Sequence, residues 1–247
     1  MAIYFFIFFL GLCFGSFLSV IVFRLDQKGG ILVGRSECPQ CLTRLEWYDL
    51  IPLFSFFYLG GKCRYCKTKI PKIYVAMELV VAGSFVAYTF FNGFLSPSSF
   101  YELTIIFILL ALAFSDYIFY ILPDKLIITG LLVTLIYFFS TGLEMIVGPL
   151  LTGLSLGSFF AILYVISQGK WLGFGDAKLA FLIGFVLGYP LGVWAVIVSI
   201  WVGALWGIGL ILASRANLKT ALPFGTFMAG IAVIFIILQK YGIWLQF

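Results

Sequence analysis

Two carboxylates, Asp116 and Asp176, sit in or at the edge of apolar stretches, FILLALAFSDYIFYILPDK and GKWLGFGDAKLAFLIGFVLG. A carboxylate at lipid depth costs about 3 kcal/mol even on lenient insertion scales, so each residue asks for a function. The chain has no histidine. Acid–base chemistry must therefore run on carboxylates, lysines, tyrosines or thiols. Two carboxylates brought together cannot both ionise cheaply and tend to share one proton. One can then act as base on a water while the other donates to a carbonyl. Each residue also has a plain structural reading. Asp176 follows Gly175 at a helix start, where a carboxylate can simply cap the helix. Asp116 could be a helix-packing residue bonded to Tyr117 or Tyr120. Asp124 competes for the place of the first carboxylate. It follows Pro123 and precedes Lys125, a setting that suits a helix start with a local ion pair. Lys178 reads as a snorkelling interfacial lysine.

A second cluster is made of thiols. Cys38-Pro-Gln-Cys41 and Cys63-Arg-Tyr-Cys66 are separated by 21 residues. Two such knuckles can give four thiolates to one tetrahedral zinc. The competing readings are disulfides or redox thiols. A cytoplasmic location argues against stable disulfides, and no βαβ pattern supports a thioredoxin-like site. A closed four-thiolate zinc has no open position for substrate, so its role is structural. It would fold a loop too small to build its own core. The segment between the pairs, LEWYDLIPLFSFFYLGGK, is apolar. It either lies at the membrane surface, packs over the mouth of the bundle, or forms the core of the zinc loop. Cys13 stands alone in an apolar run and is expected to be a small packing residue.

These residues must be held by membrane helices. Of 247 residues, 63% are hydrophobic and 10% are charged, far from the roughly 25% charged of soluble domains. The apolar runs are continuous rather than alternating, which argues for helices and against a β-barrel. The expected fold is an all-α polytopic membrane protein with about eight transmembrane helices and a small cytoplasmic zinc-binding loop. The N-terminus lacks the basic start of a signal peptide and is read as a retained span. Spans are expected near 2–23, 74–92, 103–122, 126–141, 145–167, 176–188, 190–213 and 226–245. The spans after Asp124 and Asp176 are short, and either tilt little or begin as helices buried in protein rather than lipid. Gly148, Gly153, Gly157, Gly184, Gly188, Gly203, Gly207 and Gly209 are read as close-packing positions. The expected organisation is 1–23 as first helix, 24–73 as the cytoplasmic four-cysteine zinc loop, and 74–247 as the bundle that carries the site of Asp116 and Asp176.

Basic residues orient the chain. Residues 24–72 hold Arg24, Lys28, Arg35, Arg44, Lys62, Arg64, Lys67, Lys69 and Lys72 against Asp26, Glu37, Glu46 and Asp49. The excess equals the whole net charge of +5. Loops on the same side add Lys125, Lys170, Lys178, Arg215 and Lys219, leaving Lys240 on the other. The side rich in lysine and arginine is the cytoplasm. Both termini are then outside, and Asp116 and Asp176 arrive at one depth on the cytoplasmic side.

Taken in order, the motifs resemble the type IV prepilin peptidases, the leader peptidase/N-methyltransferases of the GxGD aspartic membrane protease group. The resemblance runs over nearly the whole chain. It starts at Gly15-Ser16-Phe17-Leu18-Ser19-Val20 and Arg24-Leu25. It continues through Arg35-Ser36-Glu37-Cys38-Pro39-Gln40-Cys41, Leu45-Glu46-Trp47-Tyr48-Asp49-Leu50-Ile51-Pro52, Gly61-Lys62-Cys63-Arg64-Tyr65-Cys66 and Glu78. It ends on Asp116, Leu122-Pro123-Asp124, Gly173-Phe174-Gly175-Asp176-Ala177-Lys178-Leu179 and Pro223-Phe224-Gly225. Ser19 stands where the family usually has Asn, and Thr226 where it usually has Pro. Neither departure is expected to touch the carboxylates.

The resemblance implies an aspartic endopeptidase with Asp116 and Asp176 as the catalytic pair. It implies structural zinc on Cys38, Cys41, Cys63 and Cys66. The implied substrates are prepilins or pseudopilins, cut at the cytoplasmic face, with membrane lipid as surroundings and no nucleic acid. A basic loop should repel a basic leader; Glu37, Glu46, Asp49 or Glu78 could offset this. The family often also methylates the new N-terminus with S-adenosylmethionine. No glycine-rich nucleotide fingerprint is present, and Glu78 is either a residue of that activity or a helix-start carboxylate. A transporter or channel with a zinc-stabilised loop is the main alternative, and a non-catalytic scaffold the other.

Overall fold

The computed structural model describes residues 1–24, 36–93, 96–214 and 221–241. Leu25, Asp26, Lys28, Arg35, Arg215, Lys219 and the end of the expected last span, 242–245, lie outside these residues. Among the described residues no strand forms, and the chain divides into two compact units, Met1–Phe90 and Phe91–Phe247.

The first unit is built on two long helices, α1 (Ala2–Arg24) and α3 (Lys72–Asn92, whose last two residues belong to the second unit). The cysteine segment and the single-turn α2 (Phe54–Tyr58) lie between them in sequence. α1 carries Gly11 and Gly15 four residues apart, on one face. A methyl group at Gly11 would lie 2.5 Å from the Ala82 Cα, and one at Gly15 would lie 2.5 Å from the Glu78 Cα. No larger residue fits there, so the small pair sets the crossing of α1 on α3. Cys13, between the two glycines, is exposed. The packing role expected for it is not what the structure shows, because the face that packs is the glycine face.

The second unit holds α4 (Pro97–Phe119), α5 (Asp124–Thr141), α6 (Val147–Ser167), α7 (Phe174–Leu187), α8 (Leu191–Leu212) and α9 (Phe224–Leu238). Among the described residues the chain thus has the eight apolar helices the sequence predicts. Six of them, α1, α3, α4, α5, α6 and α8, are long and apolar enough to cross a bilayer. α7 and α9 are shorter. At 1.5 Å per residue α7 spans about 21 Å, less than the roughly 30 Å of a hydrocarbon core. It is surrounded by α5, α6, α8 and α9. Eight of its fourteen residues are buried, on all sides. This is the protein-buried alternative for the segment after Asp176. The segment after Asp124 is not short: α5 has 18 residues.

α6 and α7 meet at glycine. A methyl at Gly184 would lie 2.8 Å from the Gly153 backbone, and one at Gly153 would lie 2.8 Å from the Phe181 carbonyl oxygen. Backbone thus touches backbone, as the packing reading requires. Gly148 and Gly209 meet nothing within 4 Å and have no such role. The third span ends earlier than expected. Tyr120 adopts left-handed backbone (φ 56°) and its N–H closes on the Asp116 carbonyl at 2.8 Å. Asp116 therefore sits in the last turn of α4.

Candidate active site and metal site

Asp116 leaves α4 near its C-terminal, negative end, which is a poor place for a carboxylate. The chain corrects this with another helix. Pro223-Phe224-Gly225-Thr226 opens α9, and its first turn faces Asp116. The Thr226 N–H donates to Asp116 Oδ2 at 2.7 Å. The Thr226 hydroxyl lies 3.1 Å from the same oxygen and 3.1 Å from the Ala113 carbonyl. The expectation that Thr226 leaves the carboxylates untouched is therefore wrong. α4 and α9 are brought together by packing over 110 residues of sequence, which no local pattern reveals. Tyr117 and Tyr120, the partners considered for a packing role, are both exposed.

Asp176 is in the first turn of α7, three residues after Gly173. Its Oδ2 accepts the Gly173 N–H at 3.0 Å, closing the turn back on itself. Both carboxylates are buried, Asp116 at 6% and Asp176 at 9% exposure. The two residues, 60 positions apart in sequence, lie at the ends of α4 and α7, and Leu122 joins their surroundings: it lies against Gly175, next to Asp176, and against Gly225, which lies against Asp116.

Leu122 explains the neighbouring glycines. A methyl at Gly175 would lie 3.1 Å from Leu122 Cβ. A methyl at Gly225 would lie 3.0 Å from Leu122 Cδ1 and 3.1 Å from Asp116 Cγ and Oδ2. The glycines make room for these side chains, rather than for another backbone. Leu122 is a wedge between the first turns of α7 and α9.

Asp124 is placed differently. It opens α5, and its carboxylate accepts Lys178 Nζ at 2.6 Å. Asp124 is 60% exposed at the side chain. Lys178 also lies 5.1 Å from the centre of the Phe174 ring. The pair is a surface tie from α5 to α7.

The four cysteines of the first unit converge. Their sulfurs all lie within 4.8 Å of one another, and Cys38 and Cys66 are 3.8 Å apart. Metal–sulfur bonds of about 2.3 Å in a tetrahedron space the sulfurs about 3.8 Å apart. The two knuckles are copies. Cys38-Pro-Gln-Cys41-Leu42-Thr43 and Cys63-Arg-Tyr-Cys66-Lys67-Thr68 share their hydrogen bonds. Leu42 N–H donates to the Cys38 carbonyl at 2.8 Å, and Lys67 N–H to the Cys63 carbonyl at 3.0 Å. Cys38 N–H returns to the Thr43 carbonyl at 3.0 Å and Cys63 N–H to the Thr68 carbonyl at 2.8 Å. Leu42 and Lys67 both take positive φ, 54° and 60°.

The second cysteine of each knuckle is made acidic by the threonine two residues on. Hydrogen bonds with the Thr68 hydroxyl and backbone hold the Cys66 thiol down to about 6, and Thr43 lowers Cys41 in the same way. Cys38 goes the other way, to about 11: the Cys41 backbone opposes this, but burial and the neighbouring Cys63 and Cys41 thiols outweigh it. Four sulfurs this close cannot all be charged without a cation between them. A bound metal resolves the conflict, because a coordinated thiol is deprotonated outright. The residues present fit a four-thiolate metal.

The acids considered as offsets to the basic loop are mostly engaged within it. Asp49 accepts Arg64 Nε at 2.8 Å with its own side chain 3% exposed, and Arg64 lies 4.8 Å from the centre of the Tyr48 ring. Glu37 lies 3.8 Å from Arg44. Glu78 is buried in α3, and its Oε2 accepts the Leu53 N–H at 2.8 Å. Leu53 has φ 58°, so Glu78 fixes the strained residue that opens α2. Glu46 is exposed. Ser19, the other departure noted in sequence, turns its hydroxyl back onto the Ser16 carbonyl at 2.7 Å.

Family comparison matches residues 9–91 to the bacterial peptidase A24 N-terminal domain and residues 103–208 to the type IV leader peptidase family. The first match ends within one residue of the boundary between the two units. A Bacillus subtilis protein named prepilin leader peptidase/N-methyltransferase is 32% identical over 228 residues, covering 92% of this chain and 91% of its own. Proteins of the same name from Aeromonas hydrophila and Pseudomonas aeruginosa are 31% and 29% identical. These cover 90% and 89% of this chain, and 86% and 85% of their own. No solved structure matches the chain. These matches give no support to a transporter or channel.

Proposed function

Because this chain belongs to the type IV leader peptidase family, we propose that it cleaves the leader of prepilins or pseudopilins with Asp116 and Asp176 as its catalytic pair. It is a multi-pass peptidase of the bacterial inner membrane. The observation that supports the dyad is two buried carboxylates on either side of Leu122, each accepting a backbone N–H at the start of a helix. One oxygen of each is tied in this way. One carboxylate takes a proton from water as the oxygen attacks the scissile carbonyl, and the other gives its proton to the carbonyl oxygen. Collapse of the tetrahedral intermediate passes a proton to the leaving amine, which becomes the new N-terminus. The test is cleavage of a prepilin-like substrate by Asp116→Asn and Asp176→Asn.

Asp124 supports less. Its pairing with Lys178 at an exposed position suits a helix tie, and exposed ion pairs contribute about 1 kcal/mol or less. Asp124→Asn is expected to keep kcat within about tenfold of wild type, roughly 1.4 kcal/mol. Loss of cleavage in this variant with cleavage retained in Asp116→Asn would move the first carboxylate to Asp124.

In the second unit Lys125, Lys170 and Lys178 lie at the end that carries both aspartates, and Lys240 lies at the other. The positive-inside rule makes the aspartate end cytoplasmic. The four cysteines of the first unit hold one structural zinc. Around it the inter-knuckle segment exposes Trp47, Phe54, Phe57 and Tyr58, aromatic residues of the kind that settle at a lipid headgroup layer. The relatives' names include N-methyltransferase, and we extend S-adenosylmethionine-dependent methylation to this chain as the second activity. The mature substrate is expected to gain the mass of one methyl group in the presence of S-adenosylmethionine. No gain by mass spectrometry restricts the chain to peptidase activity.

A further inference from the structure

The two carboxylates are not held alike. Among the described residues, Asp116 Oδ2 receives the Thr226 N–H at 2.7 Å with the Thr226 hydroxyl 3.1 Å away, while Asp176 Oδ2 receives the Gly173 N–H at 3.0 Å. Donors aimed at a carboxylate oxygen favour the ionised form over the acid. From this asymmetry we infer that Thr226 is a positioning residue that keeps Asp116 as the ionised member of the pair. Asp116 then takes the proton from water, and Asp176 holds the proton that goes to the carbonyl oxygen. The inference rests on the dyad reading above and assigns its two roles.

The N–H is the stronger half of the argument, because it is the shorter contact. Helix ends do not separate the pair: α9 offsets the α4 end at Asp116, and Asp176 has the first turn of its own α7. The hydroxyl has one proton and two acceptors at equal distance, Asp116 Oδ2 and the Ala113 carbonyl. The other titratable groups on the packed elements are placed elsewhere or belong to the dyad. α9 brings no titratable side chain. α7 brings Asp176, and Lys178 of α7 pairs with Asp124 of α5. Lys125 follows Asp124 in the first turn of α5, and Tyr117 and Tyr120 of α4 are exposed.

Three variants separate the donors. Thr226→Pro removes both N–H and hydroxyl, and proline is tolerated in the first turn of a helix. Thr226→Val removes the hydroxyl alone and keeps the branched shape. Thr226→Ser keeps both donors. The measurement is kcat/KM for a prepilin-like substrate against pH, in the purified full chain. In Thr226→Pro the acid-side loss of activity is expected to move to higher pH by about one unit. In Thr226→Val it should move less, and in Thr226→Ser it should not move. An unmoved acid limb in Thr226→Pro, or equal movement in Thr226→Ser, overturns the assignment. Should Thr226→Pro fail to fold, Thr226→Val decides: a shift absent in Thr226→Ser supports the role, and no shift overturns it. The dyad itself fails by a different result, retained cleavage by Asp116→Asn.

Discussion

Asp116→Asn and Asp176→Asn are each expected to lose cleavage by about three to five orders of magnitude in kcat, while the protein stays folded. Asn is the informative substitution because its carbonyl can still accept the N–H that each aspartate accepts, Thr226 for Asp116 and Gly173 for Asp176. If either residue were only a helix-end acceptor, Asn would preserve its role, and activity would change by less than about tenfold. What Asn cannot do is exchange a proton at neutral pH. The same thermal midpoint in detergent for wild type and both variants, together with loss of product, identifies a chemical role. Full cleavage by either variant would sink the dyad.

Cys38→Ser and Cys63→Ser are expected to release the metal, from about one zinc per chain to less than about a tenth, and to leave residues 36–72 open to proteolysis. These two are the buried cysteines of the four. The segment has few other means of holding its shape. Its described ties include the knuckle bonds, the Asp49–Arg64 and Glu37–Arg44 pairs and the reach of Glu78 to Leu53. Elemental analysis of the folded chain with and without a chelator measures the first effect, and limited proteolysis the second. A folded wild type without metal would reject the site. Mass loss from paired thiols under non-reducing conditions would return the disulfide reading.

The sequence announces what is local. Apolar run length marks the helices, and the C-x-x-C spacing marks the thiols. The burial cost of Asp116 and Asp176 singles them out before any partner is known. What it hides is contact at a distance. Thr226 looks like a departure from a motif, and only the packing of α9 on α4 turns it into a donor to Asp116. Gly175 and Gly225 look like ordinary small residues, and only the position of Leu122 shows what a methyl would strike. The knuckle copies are visible in C-x-x-C-x-T once the paired bonds show which six residues to align. Cys13 misleads because two glycines beside it take the packing face.

The tie from Thr226 to Asp116 also sets a condition on synthesis. Asp116 is made early, on the fourth helix, and its donor arrives on the last one, 110 residues later. During translation the earlier helices can enter the membrane with Asp116 still without this donor. A chain stopped short of residue 226 carries both aspartates and lacks the latch. An unfinished copy would therefore carry a pair without its Thr226 donors, and the lower end of the working pH range would be set only when α9 is in place.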